Sequence, residues 1–245
     1  MKVFRLLLIA SLLVFFLPIA VRATLYWAQG EDAHWSRADW SSTRTLPDPQ
    51  AHEAAMVRIY SSRVGRWRGI FATHSWIVVK DRGAHSYQRF DKVGWGAPIR
   101  INGYAPDGRW FGNDIEPVFA ADGEAAERLI PRIRAAVDSY AYRNRGDYNA
   151  WPGPNSNTFV ASVLAAVPEG GAALPPTAIG KDFPADGGWI GLAPSRTGIR
   201  VTLGGYAGAT LAWVEGIELN FLGLVAGLDI RRPALKIPGY GRIGL

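Results

Sequence analysis

Two short segments hold side chains that core packing alone does not require: Thr73-His74-Ser75-Trp76, and Asn155-Ser156-Asn157-Thr158-Phe159-Val160. The second opens an apolar run with helical spacing. A hydroxyl at a helix N-terminus sits where backbone N–H groups converge and the dipole favours negative charge, which suits Ser156 to attack beside an oxyanion site. A helix dipole does not ionise a serine at neutral pH, so Ser156 needs a base, and His74 is the candidate. His74 in turn needs an orienting group. A hairpin centred on Arg82-Gly83 pairs positions whose numbers sum to 165, which sets Asp91 opposite His74. Opposed Cβ atoms lie ~4.5–5.5 Å apart, within reach of an Asp–His hydrogen bond. The chemistry is then acyl transfer: Ser156 attacks, His74 acts as base and then acid, Asp91 orients His74, and the Ser156 N–H binds the oxyanion. Asn155, Asn157 and Trp151 are candidate binding residues beside it.

Each residue has a plainer role. Ser156 or Asn155 can be the helix N-cap. His74 can be a buried strand residue beside Trp76 with one bond to a backbone carbonyl. Asp91 can partner Arg89 or Lys92, and a one-residue slip would set Phe90 against His74 instead. Trp151-Pro152-Gly153-Pro154 reads as a rigid turn that aims the helix, with Trp151 able to line a cleft. His85 and Arg89 are weaker orienting candidates for His74; His34, His52 and His85 read as solvated.

A histidine on one strand, a polar residue on the next, and much later an Asn-Cys-x-x-Phe-type motif opening a helix resembles the circularly permuted NlpC-like branch of papain-like hydrolases, which includes lecithin:retinol acyltransferase-like proteins. Asn155-Ser156-Asn157-Thr158-Phe159 resembles the helix motif with serine for cysteine, and His74 precedes Ser156 by 82 residues, in the permuted order. The resemblance spans roughly His74 to Val167. It implies a nucleophile at Ser156, a base at His74 and a third polar residue at Asp91. The departure from cysteine exchanges a partly ionised thiol for a hydroxyl that is not, so an unadapted site would lose most of its rate. The whole chain, with Gly94-Trp95-Gly96 and Arg231-Arg232-Pro233-Ala234-Leu235-Lys236, also resembles a bacterial envelope family of unassigned function.

The elements that must hold these residues follow from pattern. Met56–Tyr60 carries β-formers, Gly69–Lys80 reads as a buried strand, and Ser86–Trp95 as its hairpin partner. Ala121–Arg143 is an amphipathic helix with Asp122 as cap, Ala126, Leu129, Ile130, Ile133, Val137 and Tyr140 on one stripe, and Pro131 as a kink or restart. A shorter helix is expected over Asn157–Val167. Strands follow at 198–203, 210–214 and 216–219, and the apolar stretch Leu219–Leu228 is too short and glycine-broken to span a membrane. The expected fold is α+β: a permuted papain-like antiparallel sheet with packed helices and a β-rich C-terminal extension.

Lys2 and Arg5 precede a 16-residue uncharged run, Leu6–Val21, closed by Arg22. That is a signal peptide (residues 1–23) or an N-terminal inner-membrane anchor, and it sends the rest to the periplasm or another extracytoplasmic space. An irregular arm is expected over 24–50. One domain is expected over 51–245, with 51–167 as papain-like core and 168–245 as extension. Lys2, Arg5 and Arg22 supply three of the 27 basic residues, leaving 24 against 21 acids, which gives no basic face for nucleic acid. The absence of cysteine excludes disulfides, thiolate metal sites and a cysteine nucleophile. Four histidines without an HExxH pattern give no zinc site, and no GxGxxG joins a strand to a helix, so no cofactor is expected. The expected function is a Ser-His-Asp hydrolase or acyltransferase acting on an envelope peptide, glycan or lipid. The alternative is a catalytically inactive papain-like domain that binds a peptide, glycan or protein partner in the inherited cleft.

Overall fold

The computed structural model describes residues 2–29 and 35–244. Helix α1 (Lys2–Gln29) contains a stretch, Leu8–Gln29, long and apolar enough to cross a membrane, a property signal sequences near an N-terminus share. The arm expected from residue 24 therefore starts later. Ala23-Thr24-Leu25-Tyr26-Trp27-Ala28-Gln29 contains neither glycine nor proline, and the helix carries on through it. His34 lies outside the described residues.

Strands β1 (Met56–Arg63), β2 (Thr73–Lys80), β3 (Gln88–Lys92), β4 (Ile99–Ile101) and β5 (Ile115–Asp122) form an antiparallel sheet in the order β4-β3-β2-β1-β5. Helices α2 (Gly123–Asp138) and α3 (Ser156–Ala166) cover one face. Val57, Ile59, Ile77, Val79 and Phe90 meet the α2 stripe Ala126, Leu129, Ile130, Ile133 and Val137, and Phe159, Val160 and Val163 of α3. Met56, Tyr60, Trp76 and Val78 face the other way, with Leu46 of the arm against them. β2 is buried along its whole length, as a strand covered on both faces must be.

Three local expectations change. Strand β2 begins at Thr73, because Gly69-Ile70 completes a 3-10 turn. Asp122 occupies the N-cap position of α2, but its carboxylate accepts from Arg58 Nη2 at 2.8 Å and makes no cap hydrogen bond. Pro131 does not restart α2, which runs as one element to Asp138; the proline removes the bond its own N–H would make and crowds the carbonyl four residues earlier, without dividing the helix.

A second antiparallel sheet follows, built from β6 (Ile190–Leu192), β7 (Gly198–Leu203), β8 (Ala207–Ala212), β9 (Gly216–Phe221), β10 (Leu224–Asp229), β11 (Ala234–Ile237) and β12 (Gly241–Gly244), in reverse chain order from β12 to β6. The stretch Leu219–Leu228 is its β9–β10 hairpin. Two antiparallel sheets with packed helices give the α+β class.

Candidate functional site

β2 and β3 pair as Ile77–Phe90, Val78–Arg89 and Val79–Gln88, so opposed positions sum to 167 rather than 165. The connection is two residues longer on one side than a turn centred on Arg82-Gly83 allows. A shift of two preserves the face, because side chains alternate along a strand. Asp91 thus falls opposite Trp76 and reaches diagonally to His74, whose Nε2 lies 2.8 Å from Asp91 Oδ1. Both residues are buried.

Arg89, also buried, completes the cluster. Its Nη2 donates to Asp91 Oδ1 at 2.8 Å and its Nε to Oδ2 at 2.7 Å, while Nη1 reaches the Ala105 carbonyl at 2.6 Å. The guanidinium lies over Trp76, 4.1 Å from the ring centroid. Asp91 is therefore partner to Arg89 and to His74 at once. Burial pushes the Asp91 carboxyl up, but the Arg89 charge and the hydrogen bonds from His74 and Arg89 outweigh it and hold the group below 3.8. Burial holds the His74 imidazole below 6.5 against the opposing pull of Asp91. His74 is thus neutral at pH 7, with Nε2 engaged by Asp91.

At the start of α3, Asn155 is the N-cap. Its Oδ1 accepts from the N–H groups of Asn157 at 2.9 Å and Thr158 at 3.1 Å, and Thr158 Oγ1 accepts from the Asn155 N–H, closing a capping box. Its Nδ2 donates to the carbonyls of Ala150 and Ile179. Gly180 makes room for this side chain: at φ +93° its backbone lies so close that a Cβ would stand 2.2 Å from Asn155 Nδ2. Asn157 ties the helix to the sheet, since its Nδ2 donates to the Thr73 carbonyl at 2.8 Å, next to His74. With the capping role taken by Asn155, the Ser156 hydroxyl interacts instead with Tyr148, whose phenol burial raises and Ser156 partly lowers.

Ser156 and His74 line one cleft of about 1280 Å3, together with Thr73, Trp110, Tyr148 and Trp151. They enter it from different sides. His74 shares its β2 face with Trp76 and Val78, whereas α3 packs on the face of Ile77 and Val79. The start of α3 is tied to the end of β2 at Thr73 through Asn157, and among the described residues no hydrogen bond joins Ser156 to His74. At that same strand end, Thr73 Oγ1 and Asn157 Oδ1 are buried without a hydrogen-bond partner.

Trp151 walls the cleft and holds the second sheet, its Nε1 donating to the Leu222 carbonyl at 2.8 Å and its ring meeting Tyr206 edge-on. The peptide bonds before Pro152 and Pro154 are cis. His85 is exposed, and the hydrogen-bond contact with His74 is made by Asp91. Trp110 was not legible as a site residue: its ring stacks on His74, yet Arg109-Trp110-Phe111 lies in a loop without periodicity. Trp40 of the arm packs against Tyr104, Trp110 and Phe111, and Asp107 gathers Ser42, Thr45 and Leu46, so the arm supports the histidine from behind.

No curated protein and no solved structure matches this sequence. A family model described as a protein of unknown function (DUF3750) matches residues 54–183, which takes in the five-stranded sheet, both of its helices and every residue of the His74–Ser156 cleft named above except those of the arm. That match covers more than half of the 245 residues, and the chain belongs to the DUF3750 family.

Proposed function

We propose that the protein is a serine-dependent hydrolase or acyltransferase of the cell envelope, related in fold to the permuted papain-like enzymes, with Ser156 as nucleophile, His74 as base and Asp91 as its orienting group. The observation that carries the reading is the buried Asp91–His74 contact, 2.8 Å long, at the wall of the cleft that Ser156 also lines. Asp91 fixes the tautomer of His74 so that Nδ1 accepts the serine proton; the N-terminus of α3 and the Ser156 N–H receive the oxyanion. Thr73 Oγ1 and Asn157 Oδ1 supply unspent polar groups for the substrate's amide or ester. The aromatic walls, Trp67, Trp95, Trp110 and Trp151 among them, favour a substrate with a large apolar portion.

A fluorophosphonate probe tests this. The expected result is covalent labelling of the full chain, abolished in Ser156→Ala and slowed at least a hundredfold in His74→Gln. A folded wild-type protein that stays unlabelled from mildly acid to mildly alkaline pH rejects the enzyme.

The second reading is a cleft that only binds a peptide, glycan or lipid, favoured by the missing hydrogen bond between Ser156 and His74. Saturable binding of an envelope ligand without turnover, unchanged in Ser156→Ala, would select it.

A further inference from the structure

The seven-stranded sheet is turned inside out relative to a sheet that faces water. An antiparallel sheet with one wet face buries its apolar side chains and exposes its polar ones. Here Ile199, Leu211, Ile217, Leu219 and Leu235 stand on the open face, while Thr202, Thr210, Glu218, Asn220 and Lys236 are buried on the other. The contrast is wide: Leu211 is 56% exposed and Leu219 55%, against 3% for Glu218 and 6% for Lys236. The buried side is satisfied by its own network. Lys181 Nζ and Lys236 Nζ each lie 2.5 Å from a Glu218 carboxylate oxygen, and Asp182 accepts from Lys181 and Asn220. Single exposed leucines are ordinary, but an apolar array crossing seven strands exceeds what a monomer leaves in contact with water.

We infer that this face lies on a lipid bilayer, the one that α1 enters. Continuity with α1 selects lipid as the occupant. Phe221, on the open face, makes ring contacts with Phe15 and Phe16 of α1 at 5.7 and 6.1 Å between centroids, and α1 packs beside β10 and β11. Leu12, Leu13 and Leu17 of α1 are exposed in turn, so helix and sheet present one apolar surface. At the other end of the sheet, the turns carry Trp213 and the arginines Arg196, Arg231 and Arg232, an indole and three cations suited to the headgroup region and to anionic lipid. The five inner strands are paired on both sides and only β6 and β12 keep an open edge, so the face itself presents side chains to the acyl boundary, as a surface-bound rather than spanning element requires.

The lack of native cysteine makes the test direct. Leu211→Cys, Leu219→Cys, Leu12→Cys in α1 and Arg128→Cys on the exposed side of α2 are each labelled with a nitrobenzoxadiazole fluorophore in the full chain. The chains are then reconstituted in phosphatidylethanolamine–phosphatidylglycerol vesicles with and without nitroxide-bearing lipid. The expected result is that labels at 211 and 219 lose emission to the nitroxide lipid, as the label at 12 does, and are shielded from aqueous iodide, while the label at 128 shows the reverse. Iodide quenching at 211 and 219, with lipid quenching kept at 12, overturns the inference. So does shielding that disappears as chains are diluted into excess vesicles, which would assign the face to a second copy of the chain. Neither outcome depends on chemistry at Ser156.

Discussion

The His74 imidazole lies against the Trp110 indole, with ring centroids 3.8 Å apart and planes 11° from parallel. Trp76 and Tyr104 close the stack around it and around Arg89. The indole excludes water from the ring, and burial is the largest cause of the imidazole's lowered pKa. Trp110→Leu should therefore hydrate the ring and raise its pKa towards 6.5, read by NMR titration of the His74 Cε1 proton.

Labelling by a serine-directed probe should follow the neutral form of His74. Because the folded pKa lies below 6.5, the rate should hold level as pH falls through 6.5 and decline only in more acid solution. Trp110→Leu should move that decline upward. A wild-type profile already half lost at 6.5 would contradict the assignment of His74 as base.

Asp91→Asn keeps the volume of the side chain but removes the charge that two buried groups share. Arg89 is then left as an uncompensated cation, at a cost of about 3–5 kcal/mol in denaturant unfolding. The imidazole also loses the partner that draws its pKa upward, so the His74 titration should move further down.

Ser156→Cys places the first thiol of the chain at the N-terminus of α3. The helix dipole favours the thiolate, so its pKa should fall below the ordinary ~8.5. The pH dependence of iodoacetamide labelling reads it directly. An unshifted thiol would separate Ser156 from the electrostatics claimed for it.

Glu218 tests the union of the two halves. Burial raises its pKa, but Lys181 and Lys236 prevail and hold it below 4.5. A carboxylate depressed on folding contributes stability above its unfolded pKa and forfeits it as pH falls through the folded value. Unfolding free energy should therefore drop as the solution is acidified below about 4.5, and Glu218→Gln should flatten that slope at an overall cost of about 3–5 kcal/mol.

Much of the site's frame was legible because it depends on period. The α2 stripe and the start of α3 follow from 3.6-residue spacing, and Asp91 reached His74 despite a register misplaced by two, since a two-residue shift leaves a strand's faces unchanged. What escaped depends on contacts distant in sequence. Nothing near Trp110 announces that its ring backs a histidine 36 positions earlier. Likewise Ile217-Glu218-Leu219-Asn220 alternates cleanly, but alternation does not say which side meets the protein, and here the charged side does. Asn155 and Ser156 were equal candidates for the cap; only Gly180, 25 positions later, with its open approach, settles the matter for Asn155.

Trp151 has one surface in the cleft and its indole N–H on the turn between β9 and β10. A guest that displaces the ring strains one of the contacts that seat the C-terminal half, and a tilt of that half would narrow or widen the space for the guest. Filling the one and seating the other are thus linked quantities, and each should be measurable as a change in the other's equilibrium.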